Sequence, residues 1–270
     1  MTANLTQRVG SLDLLDFDLI GKLKGGAILP FPFMYTKATR FEWEQELDEY
    51  SAAVPARLAS GDLREFSPSM DALAHMDIMV ACHVQFPGAQ VDREADTRER
   101  VVGPSSLRLL AVRSGQEGFV FSQQPDDDMV DVHTVNAYDL GIALTGRLPL
   151  TQQGKHPRIV VPKLAPRRPP SAESDPLQVR DNVRSSTEVR VKASSVTAFG
   201  TIQSHWRTPR KWAPTVDKQS VIWVQIDEDG EYVYASDRGH AYPMTAAELQ
   251  TRIDRLIVED IAALRDHRGL

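Results

Sequence analysis

The chain carries one arrangement of strand, turn and helix signals twice, and that duplication limits the folds open to it. From Ser106 to Leu148 it reads as a strand (LRLLAV), a Ser114-Gly115-Gln116-Glu117-Gly118 turn, a second strand (FVFS), a third (VDVHTV) and a helix opened by Asn136, with Asp139 three residues on. From Ser220 to Leu256 the same order returns as VIWVQI, an Asp229-Gly230 turn, YVYAS, a short HAYPM segment and a helix opened by Thr245, with Glu248 three residues on. Three short strands and one helix have a single apolar face and too little area to fold alone in water. Two such units placed face to face, or edge to edge in one sheet, remove that difficulty. Glycine gives the hairpins the positive φ they need, and Asn136 and Thr245 are able to cap first-turn amides. Thr245 and Glu248 form a capping-box pair, and Pro243 discourages an earlier helix start.

The flanking segments extend the likeness. Ala81 to Phe86 reads as a strand followed by Pro87 to Ser105, a stretch dense in both charge signs that is expected to protrude and move. Ala198 to Trp206 reads as a strand followed by a long Arg207 to Gln219 loop. Upstream, Leu12 to Phe17 suits a strand or a short helix, and KLKGGAILPFPFMY an edge or irregular run. Thr39 with Glu42 predicts the start of an amphipathic helix carrying Trp43, Leu47, Tyr50, Val54 and Leu58 and stopped at Ser60-Gly61. Ser67-Pro68 predicts a second helix with Met70, Leu73, Met76 and Val80 on one side. Residues 1–150 are thus expected to be one α+β half and 176–270 the other. Between them, 151–175 is a proline-rich exposed linker with a short strand at Arg158 to Val161. A helix is expected from Asp175-Pro176 to about Arg190, and a last helix carries Leu249, Ile253, Leu256, Ile257, Ile261 and Leu264 on one stripe.

The 270 residues carry a net charge of −6, so no global field draws the chain to nucleic acid or an anionic membrane. The single cysteine, Cys82, excludes an intramolecular disulfide and cannot by itself build a zinc site. No charged-then-apolar leader and no bilayer-length apolar run are evident, so a cytoplasmic location without membrane contact is expected. Gly-rich phosphate loops, nucleophile elbows and HExxH patterns are absent. Cys82 and His83 are adjacent on a strand and so point to opposite faces, the wrong geometry for a thiolate pair. Asp126-Asp127-Asp128 lacks the alternating spacing of a calcium loop and reads as a solvated turn. One cluster, His205, Trp206, Arg207, Arg210, Lys211 and Trp212, interleaves cations with aromatics as single-strand nucleic-acid platforms do. Its competing reading has the tryptophans packing and the cations facing an acidic protein partner.

Taken in order, ILPFPF, the capped helix, ARLASGDLREFSPSMDALAHM, the charged loop, LRLLAVRSGQEGFVF, GKHPRIVVPK, AFGTI, VIWVQIDEDGEYVYAS and YPMTAAELQTRIDRL resemble the EspG family of type VII (ESX) secretion chaperones. The resemblance implies a non-enzymatic α+β protein of two quasi-two-fold-related halves sharing a central antiparallel β-sheet flanked by helical bundles, with no cofactor. It also implies a PE–PPE heterodimer as partner, held by the tip of its PPE subunit, with no nucleic acid and a monomer or weak homodimer as the working form. By the same resemblance the contact falls on Gln90, Val91, Asp92, Arg93, Glu94, Asp96 and Arg98 of the charged loop, Ile202, Ser204 and Trp206 of the strand, and Ile253, Leu256 and Ile257 of the last helix. Two alternatives stay open: a nucleic-acid-binding regulator using Trp206 to Trp212, and an enzyme with an unfamiliar site.

Overall fold

In a computed structural model the described residues are 6–26, 28–88, 105–161, 189–209, 212–235 and 239–269. Among them the strands of the first half are β1 (Thr6–Asp13), β2 (Ile78–Phe86), β3 (Ser105–Ser114), β4 (Glu117–Gln123) and β5 (Met129–Asn136). The second half supplies β6 (Ile159–Val160), β7 (Val189–Arg190), β8 (Val196–His205), β9 (Val221–Ile226), β10 (Gly230–Tyr234) and β11 (Ala241–Pro243). The helices are α1 (Leu14–Leu23), α2 (Glu44–Ser60), α3 (Ser67–Ala74), α4 (Leu140–Thr145) and α5 (Ala246–Arg268).

All these strands join one sheet in the order β1-β5-β4-β3-β2-β8-β9-β10-β11-β6-β7. Every pairing is antiparallel except the terminal β6–β7 pair. Read outward from the centre, β2-β3-β4-β5-β1 on one side mirrors β8-β9-β10-β11-β6 on the other, and α4 corresponds to α5. Ile78 pairs with Arg113 beside the first hairpin, as Val196 pairs with Ile226 beside the second, which makes Cys82 equivalent to Gly200 and Val84 to Ile202. Since Cys82 faces Ile202 and Val84 faces Gly200, the approximate two-fold axis passes close to the His83–Thr201 pair. The duplicated sentence in the sequence is therefore a duplicated topology, and neither half has to end in an unpaired inner edge.

Strand side chains alternate between the two faces, and the two faces have different covers. On one, Met79, Ala81, Leu110, Val112, Phe119 and Phe121 pack under α1, α2, α3 and the Phe31–Phe33 segment, with Phe17, Phe66 and Met70 at the centre. On the other, Val80, Cys82, Val84, Ala198, Ile202 and Trp223 lie beneath Leu140 and Leu144 of α4 and Leu249, Ile253 and Leu256 of α5. A buried ion pair holds α1 to α2. The Asp16 carboxylate accepts both terminal guanidinium nitrogens of Arg57 at 2.9 and 3.1 Å and the Tyr50 hydroxyl at 2.7 Å.

Several boundaries differ from the sequence reading. Asp13 ends β1 and its carboxylate accepts the Leu15 amide at 2.8 Å, so Leu12 to Phe17 is strand and helix in succession. Helix α2 starts at Glu44 rather than after Thr39, because Glu46 accepts the amides of Glu42 and Trp43 and leaves Trp43 largely in water. Helix α3 ends at Ala74, and Val80 belongs to β2, which is covered on both faces and so shows no alternation. Asn136 accepts the Tyr138 amide in a turn, and α4 begins three residues later behind Asp139. The Thr245/Glu248 box is formed, with Thr245 N–H donating to Glu248 Oε2 at 2.7 Å.

Residues 151–161 keep exposed side chains at Thr151 to Gln153 and Lys155 to Pro157, yet they are docked on the second half. The amide and hydroxyl of Thr151 donate to the buried Glu231 carboxylate at 2.6 and 2.9 Å, and the Lys155 amide donates to Asp229 at 2.7 Å. Gly230 adopts φ +146°, and a Cβ there would stand 2.5 Å from the Gln152 carbonyl, so this docking requires glycine in the turn. Ile159 and Val161 are buried beside Tyr232. Residues 162–175 and the expected helix up to 188 lie outside the described residues, and Val189–Arg190, its expected end, is strand β7.

Candidate partner-binding face

Helix α5 packs on the sheet against β8 and beside α4, and its own sequence says how. Leu249, Ile253, Leu256, Asp260 and Leu264 recur at spacings of three and four and are buried. A carboxylate on that stripe requires a cation, and Lys218 from the β8–β9 connection supplies it by pairing with Asp260. The same connection is pinned by Gln203, whose amide donates to the Thr215 carbonyl at 2.8 Å and accepts the Thr215 amide at 2.8 Å.

The residues expected at a partner contact fall into three groups. Gln90, Val91, Asp92, Arg93, Glu94, Asp96 and Arg98 lie outside the described residues. Ile202, Ser204 and Ile253 have no exposed surface and Leu256 retains 5 %, so they support the face from beneath and offer no atoms to a partner in this fold. Trp206 and Ile257 are half-buried at the rim, where Ile261 joins them. The Trp206 ring lies 4.8 Å from that of His267, and the Arg207 guanidinium sits 5.0 Å above it. Sequence reasoning missed Ile261 and His267 as companions of Trp206. Ile261 already stood on the helix stripe in sequence, and the further step from Leu264 to His267 is a signal for the second.

The aromatic–cation cluster does not form one platform. Trp206 packs on α5, whereas the Trp212 indole donates to the Phe33 carbonyl at 2.8 Å and stacks edge-on with Phe31 at 5.3 Å on the opposite face. Arg210 and Lys211 lie outside the described residues. His205 is buried, and burial together with Lys218 pushes its pKa down to about 4.

Groups able to do chemistry are placed for packing. The Cys82 thiol is buried and pushed up to about 12 by burial, which removes the thiolate a nucleophile needs. His83 points to the other face, where burial and Arg108 lower its pKa to about 4. Asp128 accepts the Thr36 amide and hydroxyl, both at 2.7 Å, and the Lys37 amide at 3.1 Å, while Asp127 pairs with Lys37. The acidic run therefore clamps the Met34–Lys37 segment. Among the described residues no group of three His, Cys, Asp or Glu side chains is arranged to hold a metal ion, and no helix is long and apolar enough to cross a membrane.

A sheet with these paired halves is what the sequence resemblance implies, and a family comparison decides it: the EspG family model matches residues 13–255. The chain belongs to the EspG family. No curated protein matches it. EspG proteins form a family of ESX secretion-associated chaperones rather than enzymes, so this EspG chain is to be understood through its surfaces. The match ends within α5, so Trp206 lies inside it and the His267 end of the helix beyond it.

Proposed function

We propose that this chain is a cytoplasmic chaperone that binds the tip of the PPE subunit in a PE–PPE heterodimer, covers its apolar end and directs the pair to an ESX secretion system. Family membership carries the reading, and the half-buried ridge of Trp206, Ile257 and Ile261 on a rigid sheet supports it. Burying a partner's apolar side chains on that ridge stabilises the complex by roughly 25 cal/mol per Å² of apolar area. Residues Gln90 to Arg98 carry both charge signs, which suits discrimination between clients more than affinity.

Co-expression with a panel of PE–PPE pairs followed by co-purification tests this. At least one pair is expected to co-purify with the intact chain, and deletion of Val91 to Arg100 should leave the chain folded while weakening or broadening the choice of pair. Failure of every pair to co-purify would end the proposal, and an unchanged preference after the deletion would remove the loop from it.

A further inference from the structure

The helix that follows the last strand differs in length between the two halves: α5 has 23 residues and α4 has 6. In the second half α5 runs on over the sheet until His267 meets Trp206, just past the end of β8. The equivalent ground in the first half is the end of β2, at Phe86, and α4 stops short of it. A cavity of about 440 Å³ occupies that ground, lined by Phe86, Leu107, Pro125, Pro149, His133 and Arg147 among others. Its size falls in the range of about 300–1,000 Å³ that small-ligand sites fill.

The polar groups in this cavity are left incomplete by the fold. Arg147 is half-buried and donates Nη1 to the Ala143 carbonyl at 2.8 Å, but it forms no ion pair among the described residues. Among the described residues the one carboxylate on the wall, Asp131, is already engaged by Arg8 at 3.3 Å and by the Ser11 hydroxyl. Nδ1 of His133 is buried without a hydrogen-bond partner. Burial lowers the pKa of both His133 and Arg147, and the opposing pull of Asp131 does not offset it.

We infer that this cavity is a second binding site, separate from the partner face, which takes a carboxylate carried on a short apolar body. A guanidinium presents two parallel N–H groups that match the two oxygens of a carboxylate. His133 stands on the same wall, and Phe86, Leu107, Pro125 and Pro149 line the ground for the apolar remainder. A dianion such as phosphate fits less well, because among the described residues Arg147 is the one guanidinium in the lining and Asp131 stands on the same wall. The carboxylate could end a peptide or belong to a free acid. The inference does not rest on the proposed chaperone role.

The test uses the purified full chain and amide chemical-shift mapping. Octanoate is the free-acid probe and 1-octanol its neutral counterpart; a short peptide ending in leucine is used with a free and with an amidated C-terminus. Millimolar octanoate or free-acid peptide is expected to shift the Leu107 and His133 amides, and whichever binds tighter names the source. Octanol and the amidated peptide should bind at least tenfold more weakly. Arg147→Gln should weaken the acid by tenfold or more, about 1.4 kcal/mol. His133→Gln, which leaves the guanidinium in place, should weaken it to a smaller degree and keeps the test decisive if Arg147→Gln does not fold. The proposal is overturned if neither acid shifts these amides at millimolar concentration, if the neutral probes bind as well, or if the folded variants bind unchanged.

Discussion

Gly200 lies directly beneath the indole of Trp223, its partner across the β8–β9 pair, so closely that a Cβ on Gly200 would stand 2.0 Å from Nε1. Trp223 has no exposed surface and is enclosed by the α5 core, so it has nowhere to retreat. The equivalent of Gly200 in the first half is Cys82, opposite the smaller Leu109. The two halves therefore solve the same packing problem next to the axis with different volume pairs. Gly200→Ala is expected to destabilise the protein by about 1–3 kcal/mol or more through overpacking. In a Trp223→Phe background the same change should cost less, and urea denaturation of the four members of the cycle measures the coupling.

Asp16 and Arg57 are the tie between α1 and α2, and Asp62 binds the outer side of the same guanidinium at 2.7 Å. Asp16 is 4 % exposed, so Asp16→Ala removes the inner half of the pair, leaves the Tyr50 hydroxyl without its acceptor and leaves Arg57 with Asp62 as its one carboxylate among the described residues. A loss of about 3–5 kcal/mol is expected. Asp62→Ala, in water on the outer side, should cost far less than Asp16→Ala. Equal losses in denaturant titrations of the two variants would contradict this division.

His83 and His205 make the fold sensitive to mild acid. Both are lowered to about 4 by burial, His83 also by Arg108 and His205 also by Lys218 against the opposing pull of Asp260. The unfolded chain takes up these protons near pH 6.5, whereas the folded chain does so only near pH 4. The unfolded state thus binds more protons in this window. The stability the two histidines contribute is present above about pH 6.5 and falls on acidification at up to about 1.4 kcal/mol per pH unit for each. Between pH 6.5 and 5 the carboxylates add little, so urea midpoints there should fall for the parent and flatten in a His83→Asn, His205→Asn double variant. His133, lowered by burial and Arg147, leaves a residual slope.

Much of the fold was legible because its signals are local. The Thr245/Glu248 box and the Gly115 and Asp229-Gly230 turns each lie within a few residues, and they were placed correctly from spacing alone. Val80 was assigned to a helix because Met70, Leu73, Met76 and Val80 happen to share helical spacing, and a strand buried on both faces has no alternation to oppose it. The docking of Thr151 on Glu231 and of Lys218 on Asp260 joins residues far apart in sequence, which no periodicity reveals. The candidate site suffered from the same limit. An apolar stripe identifies Ile253, Leu256 and Ile257 as a set, but only the position of α5 on β8 separates the two that are core from the one at the rim.

That separation gives the sharpest test of the partner face. Trp206 stands at the rim with Arg207 above and His267 beside it, so Trp206→Ala removes exposed aromatic area while the β8–α5 core beneath stays filled. Ile253 has no exposed surface and contacts that core alone. Ile253→Ala should therefore lower stability by about 2–5 kcal/mol and reduce co-purification of a PE–PPE pair only as far as folded protein is lost. Trp206→Ala should do the reverse, with a small change in the denaturation midpoint and a loss of captured pair, as expected when a central aromatic anchor is removed. Measuring both variants by urea denaturation and by capture normalised to folded protein separates the roles. If Trp206→Ala captures as much pair as the parent while Ile253→Ala captures less per folded molecule, the rim around Trp206 is not where the client binds.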